Sequence, residues 1–582
     1  MQSMAQHWEK LSRGPFIRLV RHCEDRIFAG SEGVEPGELD LSIGTILALL
    51  ATPSAFASVF LLDRYGSLMR FLRGQSIRFD PYAASLPDEY FFIVLALVVA
   101  GFVAVWKWDR LLPDRRDYAN LAPLPISSRR IFLANLVALS LLAVVLSLDV
   151  NALSSLLFPF VVCAQERFRV LAEFFVTHTL SVVLASAFGF LAVFAVLGTM
   201  MALLPYGIFR KYSLYARCGI IFFLMALLTT SFSEPHKIER LHSQYRWEEV
   251  PPPAWFLGLC QTLRGKSDPA LASLSGAAIM GLLFALVLSI AAYSLCYTRC
   301  FTQSAEIAVK LPAGRRPRSS LAFGLLDRVL LRTPLQRACY RFALRALFRS
   351  EEQAFALGGF LSLGLVNASQ IVLLALDKRP SPGFSAMPSA ALLSAPLILG
   401  YFLTVGLWAV CAIPALLRAN WVFRFNVDPR TRECTPLARK VILTFVVPSL
   451  VLFCLPVYSH FWGWRVGVLH TSLVAIWCVL LMEGLLIGFR KIPFACSLPK
   501  FRSNGIVTAL LFVFGYFAFT SVTAEIETWT LAEPFWFFPF VAFVTALWLA
   551  FHRWRKIMAG GDSQLIFEEE PVTAVEVLNL TG

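Results

Sequence analysis

The chain has 582 residues, 57% hydrophobic and 15% charged, with a net charge of +14. A soluble domain carries about 25% charged residues, and no soluble fold of this length would bury so much apolar surface with so few charges. The composition excludes a soluble globular protein and points to an all-α polytopic membrane protein. Its basic excess is a topology signal, because Lys and Arg accumulate on the cytoplasmic side of a membrane, and no nucleic-acid partner is expected.

Residues 1–38 are polar and amphipathic, with no cleavable signal peptide expected. Within them PFIRLVRHCEDRIF (15–28) places Phe16, Leu19, Val20 and Ile27 on one side and basic residues elsewhere. This pattern predicts a helix lying on the inner membrane surface. A span needs about 20 apolar residues. Candidates follow at 39–62, 90–106, 131–147, 178–204, 218–232 and 273–297, then at 353–376, 389–417, 441–459, 466–489, 505–524 and 535–552. With both termini inside, 38 of the 52 Lys and Arg fall on cytoplasmic segments and 14 on outer ones. The outer loop 63–89 runs against this bias through Arg64, Arg70, Arg73 and Arg78. These read as an interfacial helix whose arginines reach the headgroups. Asp80, Asp88 and Glu89 in the same loop have two readings: negative charge at the start of the second span, or catalytic acids of a membrane enzyme.

Between the second and third spans lies LPDRRDYANLAPLPISSRRIFLAN (112–135). It opens on Pro113 and the cluster Asp114, Arg115, Arg116, Asp117. It turns at Pro123, Leu124 and Pro125, and Arg129-Arg130 leads into the next apolar run. A short amphipathic piece held by prolines and ringed by charge suits a cytoplasmic contact surface; the plain alternative is an ordinary basic loop. A counterpart at 418–443 holds Asp428-Pro429-Arg430, Arg432, Pro436 and then Arg439-Lys440 before its own apolar run.

LPAGRRPRSS, within 298–334, has prolines and glycine and no periodicity, and reads as a linker. The helix pattern after it carries Arg337, Arg341 and Arg345 as a basic stripe, suited to anionic membrane lipids or to a solvated linker helix. On each side the order is the same: inner-surface helix, two spans, basic loop, four spans. The expected organisation is a tandem six-plus-six arrangement. A first half (1–300) would be followed by a basic linker and inner helix (301–350), a second half (351–552) and an acidic cytoplasmic tail (553–582). Chance likeness between basic loops is the competing explanation.

The long outer loop 233–272 contains PPPAWFLGL (251–259). Its prolines predict an extended approach, with Pro252, Trp255 and Phe256 presenting aromatic surface at headgroup level. The matching stretch IETWTLAEPF (526–535) is too short to do the same.

Chemistry-bearing motifs are sparse. There is no G-x-x-x-x-G-K-[ST]; Gly265-Lys266-Ser267 has Cys260 where the first glycine belongs, so the chain has no P-loop of its own. No H-E-x-x-H, no G-x-S-x-G and no complete metal-ligand set around Cys296 and Cys300 occurs, and neither cofactor nor metal is expected. Glu483 is the one carboxylate well inside a predicted span, where a charge costs about 2.5–3.5 kcal/mol. It reads as a structural partner of a basic group from the neighbouring inner loop, or else as a proton or substrate site. His178, at the predicted outer entrance of span four, packs or forms a hydrogen bond.

The stretch 112–135, with its LP…RR pattern ahead of a span, resembles the cytoplasmic loop of bacterial type-2 ABC-exporter permeases. GLWAVCAIPALLRANWVFRF (406–425), KIPFACS (491–497) and LIFEEEP (565–571) resemble large permease-like chains of unassigned substrate. The resemblance implies a passive pathway in the bacterial cytoplasmic membrane, opened by a separate cytoplasmic ABC ATPase subunit gripping 107–130 and 418–440. It also implies an outer segment between spans five and six that re-enters the membrane. Twelve spans in place of six, and unequal outer loops, depart from the family. The alternative function is a polytopic membrane enzyme acting on a lipid-linked substrate.

Overall fold

The computed structural model describes residues 15–28, 81–112, 121, 126–163, 167–233, 251–265, 269–307, 331, 333–377, 389–415, 420–427, 434–487, 489, 491–495 and 505–559. The first expected span, Asp80, the loop residues Asp114, Arg115, Arg116, Asp117, Pro123, Leu124 and Pro125, then Arg430 and Arg432, and the acidic tail lie outside them. The described residues are helical with no strand, and ten helices are long and apolar enough to cross a membrane. This is a multi-pass membrane protein. The chain divides into two compact units, Met1–Gly314 and Arg315–Gly582.

The first unit begins with α1 (Pro15–Phe28). Leu19, Val20, Cys23 and Ile27 are buried, and the helix lies against α4 (Ser128–Val162), while Phe16 is exposed. The apolar stripe expected to face lipid is therefore spent on protein, at the start of the third predicted span. Next come α2 (Pro81–Trp106), the single turn α3 (Trp108–Leu111), α5 (Phe168–Leu203), α6 (Tyr206–Ser233), α7 (Pro252–Leu263) and α8 (Pro269–Ile307). Several helices outrun their apolar stretches. The expected outer segment 148–177 is mostly helix, because Asn151 turns its amide onto the Ser147 carbonyl (2.7 Å) and α4 continues to Val162. Helix α2 starts well before residue 90, so Asp88 and Glu89 sit inside a helix and are buried.

Helix α5 is the hub, touching α2, α4, α6, α7 and α8. It crosses α2 so closely at Gly189 that a Cβ there would overlap the Leu97 carbonyl. Close helix approach over small residues is the usual packing solution where lipid offers no hydrophobic driving force.

The second unit opens with α9 (Pro334–Arg349), whose first turn is capped by the Thr333 hydroxyl accepting from the Gln336 N–H (3.2 Å). Cys339, Tyr340, Ala343, Leu344, Ala346 and Leu347 are buried, while Arg337, Arg341 and Arg345 are exposed. Helices α10 (Glu351–Asp377), α11 (Ala390–Val410), α12 (Asn420–Asn426), α13 (Cys434–Trp462) and α14 (Trp464–Leu485) follow. Then α15 (Gly505–Phe517) runs through a π-helical turn (Ala518–Val522) into α16 (Thr523–Ala532), and a short 3₁₀ turn leads to α17 (Phe537–Ala559). The stretch 526–535, expected to be a short outer loop, is thus largely helix and packs on α11 and α14. Burial is distributed alike in the two units: 78% of the apolar window for both α2 and α11, and 56% for both α5 and α14.

Candidate functional site

In each unit the inner amphipathic helix is pinned to the start of the third predicted span. In the first, the Arg26 guanidinium donates to the Asn135 side-chain oxygen. The Asn135 amide in turn donates to the Tyr293 hydroxyl (2.9 Å), which donates to the Phe132 carbonyl (3.2 Å). An asparagine buried in an apolar helix is costly unless its polar atoms are satisfied, and this chain ties α1, α4 and α8 together. In the second, the Lys440 ammonium donates to Gln336 (2.6 Å) and the Tyr340 hydroxyl to the Thr444 hydroxyl (3.0 Å), tying α9 to α13. Lys107, between α2 and α3, lies over the Trp106 ring at 5.2 Å, and burial, then the Arg110 charge, lowers its pKa to about 8.

Of the expected docking residues, Arg129 and Arg130 form the exposed first turn of α4. Arg439 and Lys440 are partly exposed and already engaged within the chain. Arg439 forms an ion pair with Glu483 at 2.6 Å, with the carboxylate side chain 2% exposed. Glu483, well inside a predicted span, thus pairs with a basic residue of the 418–440 loop. Arg439 lies near the start of α13 and Glu483 near the end of α14, so nearly the full length of both helices separates them in sequence.

The same end of the second unit carries α12, a feature that the charge pattern of its loop obscured. Asn420 donates to the Ala495 carbonyl (2.6 Å), and Phe423 packs edge-on against Phe342 of α9 (5.0 Å). Trp421 and Phe425 meet edge to face (6.4 Å) and stay exposed, at 60% and 85%. The base beneath is strapped by Phe494, buried with φ at +66°, a conformation rare for an aromatic residue. Its N–H donates to the Cys411 carbonyl (2.9 Å) and its own carbonyl accepts from the Ala415 N–H (2.8 Å), which holds the strained turn in place.

The far ends of the units hold buried charge. Helix α7 is a helix from Pro252 onward, not an extended approach: a proline at the first helical positions is pre-set for helix. Phe256 is fully buried against Phe188 (5.5 Å), and Trp255 contacts the same ring, so this aromatic surface faces α5 and not headgroups. The helix delivers Gln261 and, just past its end, Arg264. Arg264 forms an ion pair with Glu89, Gln261 donates to the same carboxylate (2.8 Å), and Arg264 also donates to the Thr177 hydroxyl (3.0 Å) and lies over the Phe174 ring. His178 lies well inside α5, fully buried among Phe92, Phe158 and Phe174 with no hydrogen bond to either ring nitrogen. In the second unit His470 of α14 and Glu527 of α16 are bonded to each other with neither side chain exposed. Among the described residues no group of three metal-ligating side chains forms.

Set beside protein-family models, curated proteins and solved structures, the chain matches none of them.

Proposed function

We propose that the chain is the membrane permease of an ATP-driven exporter in the bacterial cytoplasmic membrane. Two six-span halves lie in tandem, with both termini cytoplasmic, and move an unidentified substrate with ATP hydrolysed by a separate ABC ATPase subunit. The observation that carries this reading is the braced inner platform, in which an amphipathic helix is pinned to the third span at Arg26–Asn135 and again at Lys440–Gln336 and Tyr340–Thr444. Beside the second platform α12 presents Trp421 and Phe425, an aromatic knob on a fixed base, in the loop that the sequence marks for docking. Aromatic anchors carry much of the binding energy at protein interfaces, which suits an exposed aromatic pair on a fixed base to docking a partner subunit. The parallel burial of the second and fourth helices in each unit supports the tandem arrangement.

Two of the three acids of the lipid-linked enzyme reading are taken up inside the protein, and the third, Asp80, lies outside the described residues. Glu89 is fully buried and bound by Arg264 and Gln261, and Asp88 is 4% exposed, so neither is offered to a headgroup outside. No catalytic role is proposed for them.

The test is purification of the chain from its native membrane, followed by photolabelling with an azido-ATP. A labelled second polypeptide is expected, with no label on the chain itself. It should be lost in Arg115→Glu/Arg116→Glu and in Trp421→Ala/Phe425→Ala, with the variants inserted at normal abundance. A hydrogen bond to a charged group contributes roughly 1.5–3 kcal/mol, so two reversed arginines weaken docking by about a hundredfold or more. ATP hydrolysis by the pure chain, or labelling unaffected by both variants, would sink the proposal.

A further inference from the structure

We infer that His470 and Glu527 form a proton-binding site that latches the segment 518–532 onto α14. Both side chains are fully buried, and they are bonded to each other through His470 Nδ1 and one Glu527 oxygen. His470 Nε2 and the second Glu527 oxygen have no other partner. Two ionisable groups sealed together in this way hold one proton between them and carry no net charge. A second proton leaves a lone imidazolium, and loss of the first leaves a lone carboxylate. Either one is a buried uncompensated charge, which a fold tolerates poorly.

The surroundings leave the pair to titrate as a unit. From α13 it meets Tyr458, whose ring lies 4.6 Å from His470 but whose hydroxyl is committed to the Leu392 carbonyl (2.8 Å), with Trp462 and, a turn behind Tyr458, Cys454. Helix α11 supplies only Tyr401 as a titratable group, and its hydroxyl donates to the Phe512 carbonyl (2.7 Å). The titratable residues of α17 begin at His552, toward its far end, and His460, Arg465, Glu525 and Glu533 are exposed. Among the described residues no buried Lys or Arg is paired with His470 or Glu527.

The segment that Glu527 rides on is built to move. It is joined to α15 by the π turn Ala518–Val522, a break in the helical ladder of the sort found at functional sites. Thr520 and Thr530 each bond the carbonyl four residues back (2.8 and 2.5 Å), and Thr523 does the same, a habit that bends helices. The first unit supplies the contrast. Its equivalent segment, α7, is tied down by Arg264 to Glu89, and a guanidinium keeps its charge at every accessible pH. Arg264 holds Glu89 in its charged form, whereas the second latch has no such fixed cation and is the more responsive to protons.

The experiment uses the full chain reconstituted in phospholipid. Infrared difference spectra on stepping the pH are expected to show a carboxyl band that titrates, is absent in Glu527→Gln, and has a shifted midpoint in His470→Gln. Amide exchange over 518–532, corrected for intrinsic rate, should quicken by about tenfold per pH unit past the midpoint, the linkage slope of one proton. The segment 252–263 in the same molecule should not respond, and in Glu527→Gln the response of 518–532 should vanish. A spectrum identical in wild type and Glu527→Gln, a midpoint indifferent to His470, or exchange over 518–532 that ignores pH would each overturn the inference.

Discussion

The Glu89–Arg264 pair shows what a charge does when water is removed from around it. The two side chains are 0% and 8% exposed, on helices far apart in the chain. Breaking such a pair from one side leaves the other charge poorly compensated and typically costs about 3–5 kcal/mol, whereas replacing both by apolar residues is often close to neutral. Arg264→Met should therefore lower the melting temperature sharply, while Glu89→Met/Arg264→Met should recover most of the loss, as read by thermal unfolding in detergent. A double variant no more stable than Arg264→Met would show that the pair is not coupled. The Arg439–Glu483 pair differs in kind: Arg439 is a third exposed and reaches water, so only its partner depends wholly on the protein for compensation.

Among the elements, the crossing of α2 and α5 sets how tightly the first unit closes. Gly189 lets the Leu97 backbone approach within the space that a methyl group would need, and backbone cannot step aside as a side chain can. Gly189→Ala is expected to cost about 1–3 kcal/mol, the range for overpacking a well-filled contact. The equivalent crossing in the second unit places Gly400 of α11 against the Cys478 sulfur of α14, a single atom at a side-chain end. Gly400→Ala should therefore be milder. Thermal unfolding of the two variants side by side decides it, and equal losses would refute the argument that backbone rigidity sets the cost.

For the whole molecule, the membrane topology is the decisive quantity. The charge split of 38 to 14 predicts 298–352 inside and 233–272 outside. Single cysteines at Ser267 and Ser319 in a cysteine-free chain should react differently with an impermeant reagent on intact cells. Labelling is expected at 267 and none at 319. The reverse pattern would invert the chain in the membrane and move the aromatic knob of α12 to the wrong side for an ATPase.

Composition alone determined that this is a helical membrane protein, and hydropathy located ten of the expected spans that the structure describes as continuous apolar helices. Local chemistry also announced the inner helices, because an apolar stripe at helical spacing is a property of neighbours in sequence. What covers that stripe is not: α1 and α9 bury theirs on protein, α1 against α4 and α9 against α10 and α13. Helix ends were misjudged where polar residues such as Asn151 and Glu527 interrupt an apolar run, since a hydropathy window cannot see a side chain satisfied within its own helix or by a partner many residues away. The buried pairs lay beyond reach for the same reason. Glu89 meets Arg264, Glu483 meets Arg439 and His470 meets Glu527 only after helices have packed, and the cost of an unpaired charge in a dry interior, which makes each pair obligatory, exists only once that interior has formed.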